Sequence, residues 1–446
     1  MSAAAEPIGV RVGARTDRWP QALNILLAAV LVLATGEIVV DAAVGHEPLI
    51  PKQPQIAGWL EGLGTRLSYQ VFLTAILISC GAYAALLALA RLRRGARLSP
   101  RAVIVLVSVL HLIVFAGPIL ISTDVFSYIA YARMGVEHGL NPYLYGPRAI
   151  SGDPVFVYVG HDWLRVATAY GPLYTLISYP LAPLGVVGAV WGMKAMALLA
   201  SAGTLALTWR CAKARGFDPA TAVLIVGANP VYIIYTLGGA HNDLVMMLLM
   251  MLAVSLSISP VRSAGREAGA AAAIVAGALV KATVAALLPF MILSRRRLAP
   301  IVGALAALAA GALIGLLAFG VHGIDVVSAL NRDAAFVSND SFATEIAHLL
   351  GKPGVFPVDH DLLKAGLVLI VLHLMWRTWR GYDWVAASGW TLLAISVTST
   401  WLLAWYMMWP LPLAVISRDR RLLAATLAVQ GLFIVHQISP LLVPVR

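Results

Sequence analysis

Apolar runs close to the length of a membrane span recur along the whole chain, with short polar loops between them. A helix needs about 20 mainly apolar residues to cross a bilayer. The pattern therefore predicts an all-α, polytopic membrane protein with about 13 transmembrane helices and with interfacial or re-entrant helices in its outer loops. Full spans are predicted at 22–44, 70–91, 102–121, 186–209, 219–237, 243–259, 300–320, 362–376, 384–401, 405–417 and 422–440, and two half-length helices at 268–293.

The arginine clusters predict which loops face the cytoplasm, because cytoplasmic loops carry an excess of Lys and Arg. The tail 1–20 and the loops 91–101, 210–218, 260–267, 294–299 and 377–383 hold these clusters. Loops 122–185 and 321–361 are then outside. Both loops that flank 268–293 are basic, so this run is predicted to enter the membrane and return, with Lys281 near its tip. The result is a single integral membrane domain, 1–446, in the plasma membrane.

Composition narrows the class of protein. The chain is 60% hydrophobic and 12% charged, about half the charged fraction of a soluble domain. The net charge of +11 comes from loop arginines between apolar runs, so it does not indicate a nucleic-acid partner. Cys80 and Cys211 lie in or beside apolar runs, which argues against a disulfide framework. The run from Leu23 to Val44 is interpreted as a retained first span rather than a signal peptide.

Asp124 is the most informative acidic residue, because it stands where the chain leaves the apolar run 102–121 for water. A carboxylate at that depth is costly unless it is used or paired. The residues after it are too polar to span a membrane yet rich in aromatic side chains, which suits a helix lying in the interface. We interpret Asp124 as a general base; the alternative is an ordinary helix N-cap.

Other polar groups are predicted on the same outer face: the triplet His241-Asn242-Asp243, Lys281 and a polar cluster in 332–345. Nucleotide sugars are cytoplasmic, so glycosyl transfer on this face requires a lipid-linked sugar phosphate as donor. Such a site needs a base for the acceptor hydroxyl, a cation for the leaving phosphate and an apolar groove for the lipid. Lys281 fits the cation, the alternative being a lysine that snorkels to the interface.

The remaining candidates have two interpretations each. The triplet at 241–243 suits sugar orientation, phosphate contact or a metal, whereas Asn242 or Asp243 also suits an N-cap of the next span. Arg133 suits phosphate binding or a helical ion pair with Glu137, four residues on.

Aromatic residues near the last spans also have two interpretations. Trp405, Tyr406 and Trp409 suit stacking on a sugar ring or an interfacial aromatic belt.

The chain resembles the C-type glycosyltransferase superfamily, and most closely the actinobacterial polyprenol-phosphate-mannose-dependent α-1,6-mannosyltransferases of lipomannan and lipoarabinomannan assembly. The motifs that carry the resemblance are spread over 122–412. They are Ser122-Thr123-Asp124-Val125-Phe126-Ser127-Tyr128, Gly139-Leu140-Asn141-Pro142-Tyr143, Tyr170-Gly171-Pro172-Leu173, Asn229-Pro230, Gly238-Gly239-Ala240-His241-Asn242-Asp243, Lys281 with Pro289, and Trp405-Tyr406 through Trp409-Pro410.

The resemblance implies a 13-span enzyme with an outward-facing site, a mannosyl donor, and inversion at the anomeric carbon with Asp124 as base. Substrate-binding candidates are Tyr128, Arg133, Asn141, Tyr143, Tyr170, His241, Asn242, Asp243, Lys281, Tyr406 and Trp409. Many superfamily members have two neighbouring acidic residues where this chain has Asp124-Val125, so we expect no cofactor and no divalent metal.

Expected partners are the lipid-linked donor, a glycan or glycolipid acceptor and the bilayer. Related enzymes transfer arabinose or glucose, so the sugar stays open. A transporter or flippase is the competing class; it needs polar residues near the membrane midplane, whereas here they gather outside.

Overall fold

The computed structural model describes residues 18–44, 69–92, 97–259, 263–325 and 336–442. These residues form helices and connecting loops, with no β-strand among them, which confirms the predicted all-α class. The helices in the first half of the chain are α1 (Arg18–Val44), α2 (Tyr69–Leu92), α3 (Pro100–Ala116), α4 (Asp124–Val136), α5 (Pro172–Ser178), α6 (Gly185–Ala214) and α7 (Pro219–Gly227). The rest are α8 (Asp243–Ser257), α9 (Ala264–Ala278), α10 (Leu288–Arg295), α11 (Leu298–Phe319), α12 (Phe342–Leu349), α13 (Pro357–Trp379), α14 (Trp384–Thr398), α15 (Leu411–Ile416) and α16 (Arg420–Leu442).

Several of these helices are long and apolar enough to cross a bilayer. Within the described residues, four segments meet that condition alone: Gln21–Ala43, Gln70–Arg91, Pro172–Ala214 and Leu298–Gly323. A fifth arises if α7 and the π-helix Val231–Leu237, which are bent by 53° at a short break, count as one span. The multi-pass architecture therefore holds, and the count of 13 stays a prediction. The outer-loop residues Arg332 and Asp333 lie outside the described residues.

Breaks in the helices fall at the predicted irregular stretches. Helix α3 ends at Ala116 rather than 121, because Gly117 and Pro118 follow it. The chain from α9 to α10 breaks at Lys281 and continues as a 3-10 helix, Ala282–Leu287. Arg297 Nη1 lies 3.6 Å from Glu267 Oε1, so the start of α9 and the end of α10 meet. This agrees with a hairpin that enters and returns.

The segment 170–183 is fastened to the tip of that hairpin. The N–H of Gly171 donates to the carbonyl of Val280 (3.1 Å), and the N–H of Leu173 donates to that of Leu279 (3.0 Å). A Cβ on residue 171 would lie 2.0 Å from the Leu279 carbonyl oxygen. Glycine is therefore required there for the two backbones to approach, which explains one position of the Tyr-Gly-Pro-Leu motif.

Helix α4 lies inside the protein, so the prediction of an interfacial helix after Asp124 is wrong. Nine of its 13 residues are buried, and it packs against α5, α6 and the 3-10 segment Tyr179–Leu184. An interfacial helix leaves one face to lipid and the other to water, whereas α4 is covered by protein on both. The aromatic residues that suggested an interface instead form internal contacts, such as the ring of Tyr128 at 4.7 Å from that of Tyr170.

The arginine loops gather at one end of the bundle, which we call the basic end. Arg97 Nη1 lies 3.4 Å from Asp218, Arg215 pairs with Asp383, and Arg296 donates to the carbonyl of Trp379. Four separate loops therefore meet there. The opposite end, which we call the site end, brings together Asp124, the triplet at 241–243, the hairpin tip and the segment 399–409.

Candidate active site

A cavity of about 340 Å³ lies at the site end. Its walls come from α4, the loop before α5, the hairpin tip, α13, and the chain between α14 and α15. The residues of its lining that are used below are Asp124, Trp163, Tyr170, Lys281, His360, Leu363, Lys364, Leu367, Trp401, Tyr406 and Trp409.

Asp124 is open to this cavity from the first residue of α4. Thr123 occupies the N-cap position and makes no side-chain cap bond, so the interpretation of Asp124 as N-cap is wrong. The Asp124 side chain is 15% exposed, and its Oδ2 lies 3.5 Å from Nδ1 of His241. The start of a helix is a favourable place for a negatively charged side chain, and here it leaves the carboxylate accessible.

The two segments that carry Asp124 and His241 are joined and strained. The N–H of Leu120 donates to the carbonyl of Gly238 at 3.0 Å. Ile121 (φ 69°) and Ala240 (φ 51°) both adopt the left-handed region, which is unfavourable for a residue with a Cβ and most of all for a β-branched one. Such conformations cost about 1–3 kcal/mol each and cluster at functional sites.

His241 lies behind Asp124, away from solvent. Its ring stacks on Trp405 with 3.6 Å between ring centres and 23° between planes. Neither ring nitrogen has a hydrogen-bond partner among the described residues, and the 3.5 Å contact with Asp124 is longer than a good hydrogen bond. The imidazole is thus held by stacking, with one nitrogen directed at the carboxylate.

Lys281 and Asp243 form a buried ion pair in the cavity floor. Lys281 Nζ donates to Asp243 Oδ1 (2.8 Å) and Oδ2 (3.0 Å), and Trp409 Nε1 donates to the same Oδ1 at 2.6 Å. Nζ also lies 4.4 Å from the ring centre of Tyr406, within the range of a cation–π contact. Snorkelling is therefore wrong for Lys281.

The aromatic residues between α14 and α15 belong to the protein interior. Trp405 and Trp409 are buried, so an interfacial belt does not describe them. Tyr406 stacks on Trp409 at 4.3 Å between ring centres, and both rings line the cavity. Tyr406 is half-buried, whereas Trp409 is 2% exposed.

Asn242 and Tyr128 support the site from behind. Asn242 stands at the N-cap position of α8, yet its side chain makes no cap bond; instead its Oδ1 accepts a hydrogen bond of 3.4 Å from the hydroxyl of Tyr128. Asp243 is the first helical residue, so neither residue caps as the simpler interpretation required. Both Tyr128 and Asn242 are buried, whereas Tyr170, packed on Tyr128, reaches the cavity.

Arg133 fastens the outer loop. Its Nε donates to both carboxylate oxygens of Asp153 (2.9 and 3.0 Å), and its Nη1 donates to the carbonyl of Ala182 (2.9 Å). The predicted pair with Glu137 is wrong, because the side chain turns to Asp153. Burial pushes the pKa of Asp153 up, but hydrogen bonds from Arg133 and His138 outweigh it and hold the pKa below its usual value.

Asn141 and Tyr143 have similar fastening contacts. Asn141 Nδ2 donates to the carbonyl of Phe319 at 2.8 Å, and the Tyr143 hydroxyl donates to the carbonyl of Tyr170 at 2.8 Å. The structure therefore separates the predicted site residues into two groups. Asp124, Tyr170, Lys281, Tyr406 and Trp409 line the cavity. Residues Tyr128, Arg133, Asn141, Tyr143, His241, Asn242 and Asp243 hold those side chains or the loop in place.

Comparison with known proteins assigns the family. Residues 25–297 match the family described as alpha-(1->6)-mannopyranosyltransferase, N-terminal domain. The chain belongs to this family. It is also similar to an alpha-(1->6)-mannopyranosyltransferase A of Mycobacterium tuberculosis, with 28% identity over 348 residues, which is 70% of this chain and 66% of that protein. A protein of the same name from Corynebacterium glutamicum is 35% identical over 138 residues, 30% of this chain and 28% of that protein.

The chain thus matches less than two thirds of the length of these relatives. The region that matches the family contains Asp124, the triplet at 241–243 and Lys281. The other wall of the cavity, from His360 to Trp409, lies beyond it.

Several residues of the site were missed by sequence reasoning. Lys364 and His360 line the cavity from α13. Lys194, inside α6, is buried and donates to the carbonyls of Val114 (3.0 Å) and Pro118 (3.3 Å), so it binds the end of α3 just before Asp124. Lys194 and Lys364 are charged residues inside predicted spans, and that signal was present in the sequence.

Metal ligands do not gather at this site. Across the ranges that the structure describes, no group of three or more His, Cys, Asp or Glu side chains is arranged to hold an ion.

Proposed function

We propose that the protein transfers a mannosyl residue from polyprenyl-phosphate-mannose to a mannan- or lipomannan-type acceptor at the outer face of the plasma membrane, with inversion. The observation that carries the proposal is an accessible carboxylate, Asp124, in a cavity that also presents a lysine and a wall of aromatic rings. The names of the relatives supply the sugar and the α-1,6 linkage.

The basic end supports the outward orientation. Arginine loops favour the cytoplasmic side, and the cavity lies at the other end of the bundle from Arg97, Arg215 and Arg296. On that side the donor must be lipid-linked, because nucleotide sugars are confined to the cytoplasm.

Asp124 is proposed as the general base. The acceptor hydroxyl oxygen forms the new bond to the anomeric carbon while its proton passes to the Asp124 carboxylate. The bond between the anomeric carbon and the phosphate oxygen breaks, and its electron pair leaves with polyprenyl phosphate. A positioned base contributes about 10²–10⁴ in rate. His241, held by Trp405, positions the carboxylate.

The floor of the cavity is proposed to receive the sugar and the phosphate. Tyr406 presents its ring to the sugar with Trp409 stacked against it, and Lys281 directs an N–H toward a phosphate oxygen while Asp243 holds it in place. Fixed donors of this kind stabilise the charge that develops on a leaving group. Because lysine supplies the cation and Val125 follows Asp124, we expect the reaction to need no divalent metal.

The proposal is tested with purified protein, polyprenyl-phosphate-mannose and short α-mannoside acceptors, with products analysed by mass and linkage. We expect one added mannose in α-1,6 linkage, and transfer slower by about 10²-fold or more with Asp124→Asn. Parallel reactions with arabinosyl and glucosyl lipid donors test the sugar. Absence of transfer from all three donors by folded protein contradicts the proposal. Donor movement between leaflets of proteoliposomes without transfer would favour a flippase.

A further inference from the structure

The charges that line the cavity do not balance without a second lysine. Lys281 is neutralised by Asp243, which contacts it through both oxygens. As a unit the pair carries no net charge, so it offers an N–H donor but little field for an incoming anion. Asp124 adds a negative charge to the lining of the same cavity. A lipid phosphate that enters this cavity therefore meets repulsion unless another cation faces it.

Lys364 is that cation. It lines the same cavity and forms no ion pair with any described residue, including Asp361 three positions earlier. Asp359, the other carboxylate nearby in the chain, is occupied by Lys352 at 2.8 Å. The ammonium of Lys364 is thus uncompensated, whereas that of Lys281 is already paired.

The position of Lys364 suits the head of a lipid. It lies in the second turn of α13, beside the cavity-lining Leu363 and Leu367. The other faces of the same helix expose apolar side chains, with Leu362 at 66% and Leu369 at 67%. In a bilayer such a surface faces hydrocarbon, so the α13 wall separates the cavity from lipid. A polyprenyl chain can lie along it with its phosphate at the polar rim.

We propose that Lys364 provides the net positive charge that holds the donor phosphate at the membrane-facing rim of the cavity, with the first isoprene units against Leu363 and Leu367. This inference rests on the proposed function and deepens it. Lys281 then fixes one phosphate oxygen during the reaction, while Lys364 sets donor affinity.

The test compares Lys364→Ala, Lys364→Glu and Lys364→Arg with the matched control Lys213→Ala, an exposed lysine at the basic end. Two quantities are measured: binding of polyprenyl phosphate without sugar, and the KM for polyprenyl-phosphate-mannose. Losing one charge-assisted contact weakens binding by about 10- to 100-fold. We expect that loss in Lys364→Ala, a larger loss in Lys364→Glu, partial retention in Lys364→Arg and none in Lys213→Ala. Inorganic phosphate, lacking the lipid, should compete weakly.

The outcomes separate this inference from the proposed function. Because Lys364 is exposed, the variants should melt with the parent, and melting temperature verifies folding. Polyprenyl phosphate bound equally by parent and Lys364→Ala overturns the role of Lys364, even if mannose is transferred. Polyprenyl phosphate bound by the parent and lost in Lys364→Ala, without any sugar transfer, supports Lys364 and contradicts the transferase. No binding by the parent overturns both.

Discussion

The two ends of the bundle both pair lysine or arginine with aspartate, but they bury the carboxylate of the pair to different depths. At the site end Asp243 is 0% and its partner Lys281 15% exposed. At the basic end Asp383, paired with Arg215, is 18% exposed, and in the pair of Arg97 with Asp218 the side chains are 41% and 38% exposed. An exposed pair is solvated whether or not it forms, so it contributes little. A buried pair depends on both partners, because removing one leaves a charge without water.

The two ends therefore differ in how firmly their charged side chains are held in place. At the basic end arginines tie separate loops together. The site end holds its charges in fixed positions: Asp243 accepts from Lys281 and Trp409, and strained backbone at Ile121 and Ala240 presents the adjoining residues. Fixed groups of this kind are what electrostatic catalysis requires.

The largest stability effect should come from breaking the buried pair. Lys281→Met leaves Asp243 with Trp409 alone, and loss of one partner of a buried pair costs about 3–5 kcal/mol. Denaturant unfolding in detergent measures this. The double variant Lys281→Met with Asp243→Leu should recover part of the loss. A cost below about 1 kcal/mol for Lys281→Met would mean that the pair is solvated and that the comparison fails.

A smaller effect is expected at the outer loop. Asp153→Asn weakens two charge-assisted contacts, with Arg133 and His138, and should cost about 1.5–3 kcal/mol. The pKa of Asp153 is lowered in the folded protein, so its stabilisation is full above the unfolded pKa of about 3.9 and declines as the pH falls below it. Unfolding of the parent and of Asp153→Asn at pH 7 and pH 3 measures both the cost of the substitution and its dependence on pH. Equal destabilisation by the variant at the two pH values would contradict them.

The basic end should tolerate the equivalent change. Arg97→Gln removes the exposed pair with Asp218, and surface pairs contribute about 0–1 kcal/mol. We expect unchanged transfer and a stability loss within that range, further reduced in high salt. Asp218 is kept, because it also caps α7 by accepting from the N–H of Thr221. A loss as large as that of Lys281→Met would remove the distinction between the ends.

The smallest effect is expected from chelation. With lysines as the cations at the site end, EDTA should leave the transfer rate unchanged within error. A loss of activity that Mg²⁺ or Mn²⁺ restores would show that a metal takes part.

The sequence predicted which residues gather at the site better than it predicted which side chains pair with one another. Asp124, the triplet at 241–243 and Lys281 could be placed together because sidedness follows from arginine loops and apolar runs. The hairpin tip followed from the same rule. The pairing of Asp243 with Lys281 could not be predicted from the sequence, since 38 residues separate them and the contact depends on how α8 and the hairpin pack.

The aromatic residues show the same limit. Trp409 donates to Asp243 across 166 positions, which no local pattern encodes, so an interfacial belt was an equally good interpretation. The prediction that α4 lies in the membrane interface is wrong because a mixture of aromatic and polar residues is typical both of an interfacial helix and of a helix packed inside a site. Lys364 was missed although its charge inside an apolar run was visible.

The central claim is that Asp124 takes the acceptor proton, and single-turnover transfer by donor-saturated Asp124→Asn tests it most directly. Asparagine keeps the shape but cannot act as a base. Glu137→Gln, an exposed carboxyl at the far end of the same helix, is the matched control. We predict a rate loss of about 10²-fold or more in Asp124→Asn, full turnover in the control, and unchanged donor affinity in both. A rate for Asp124→Asn within a few-fold of the parent would contradict the account.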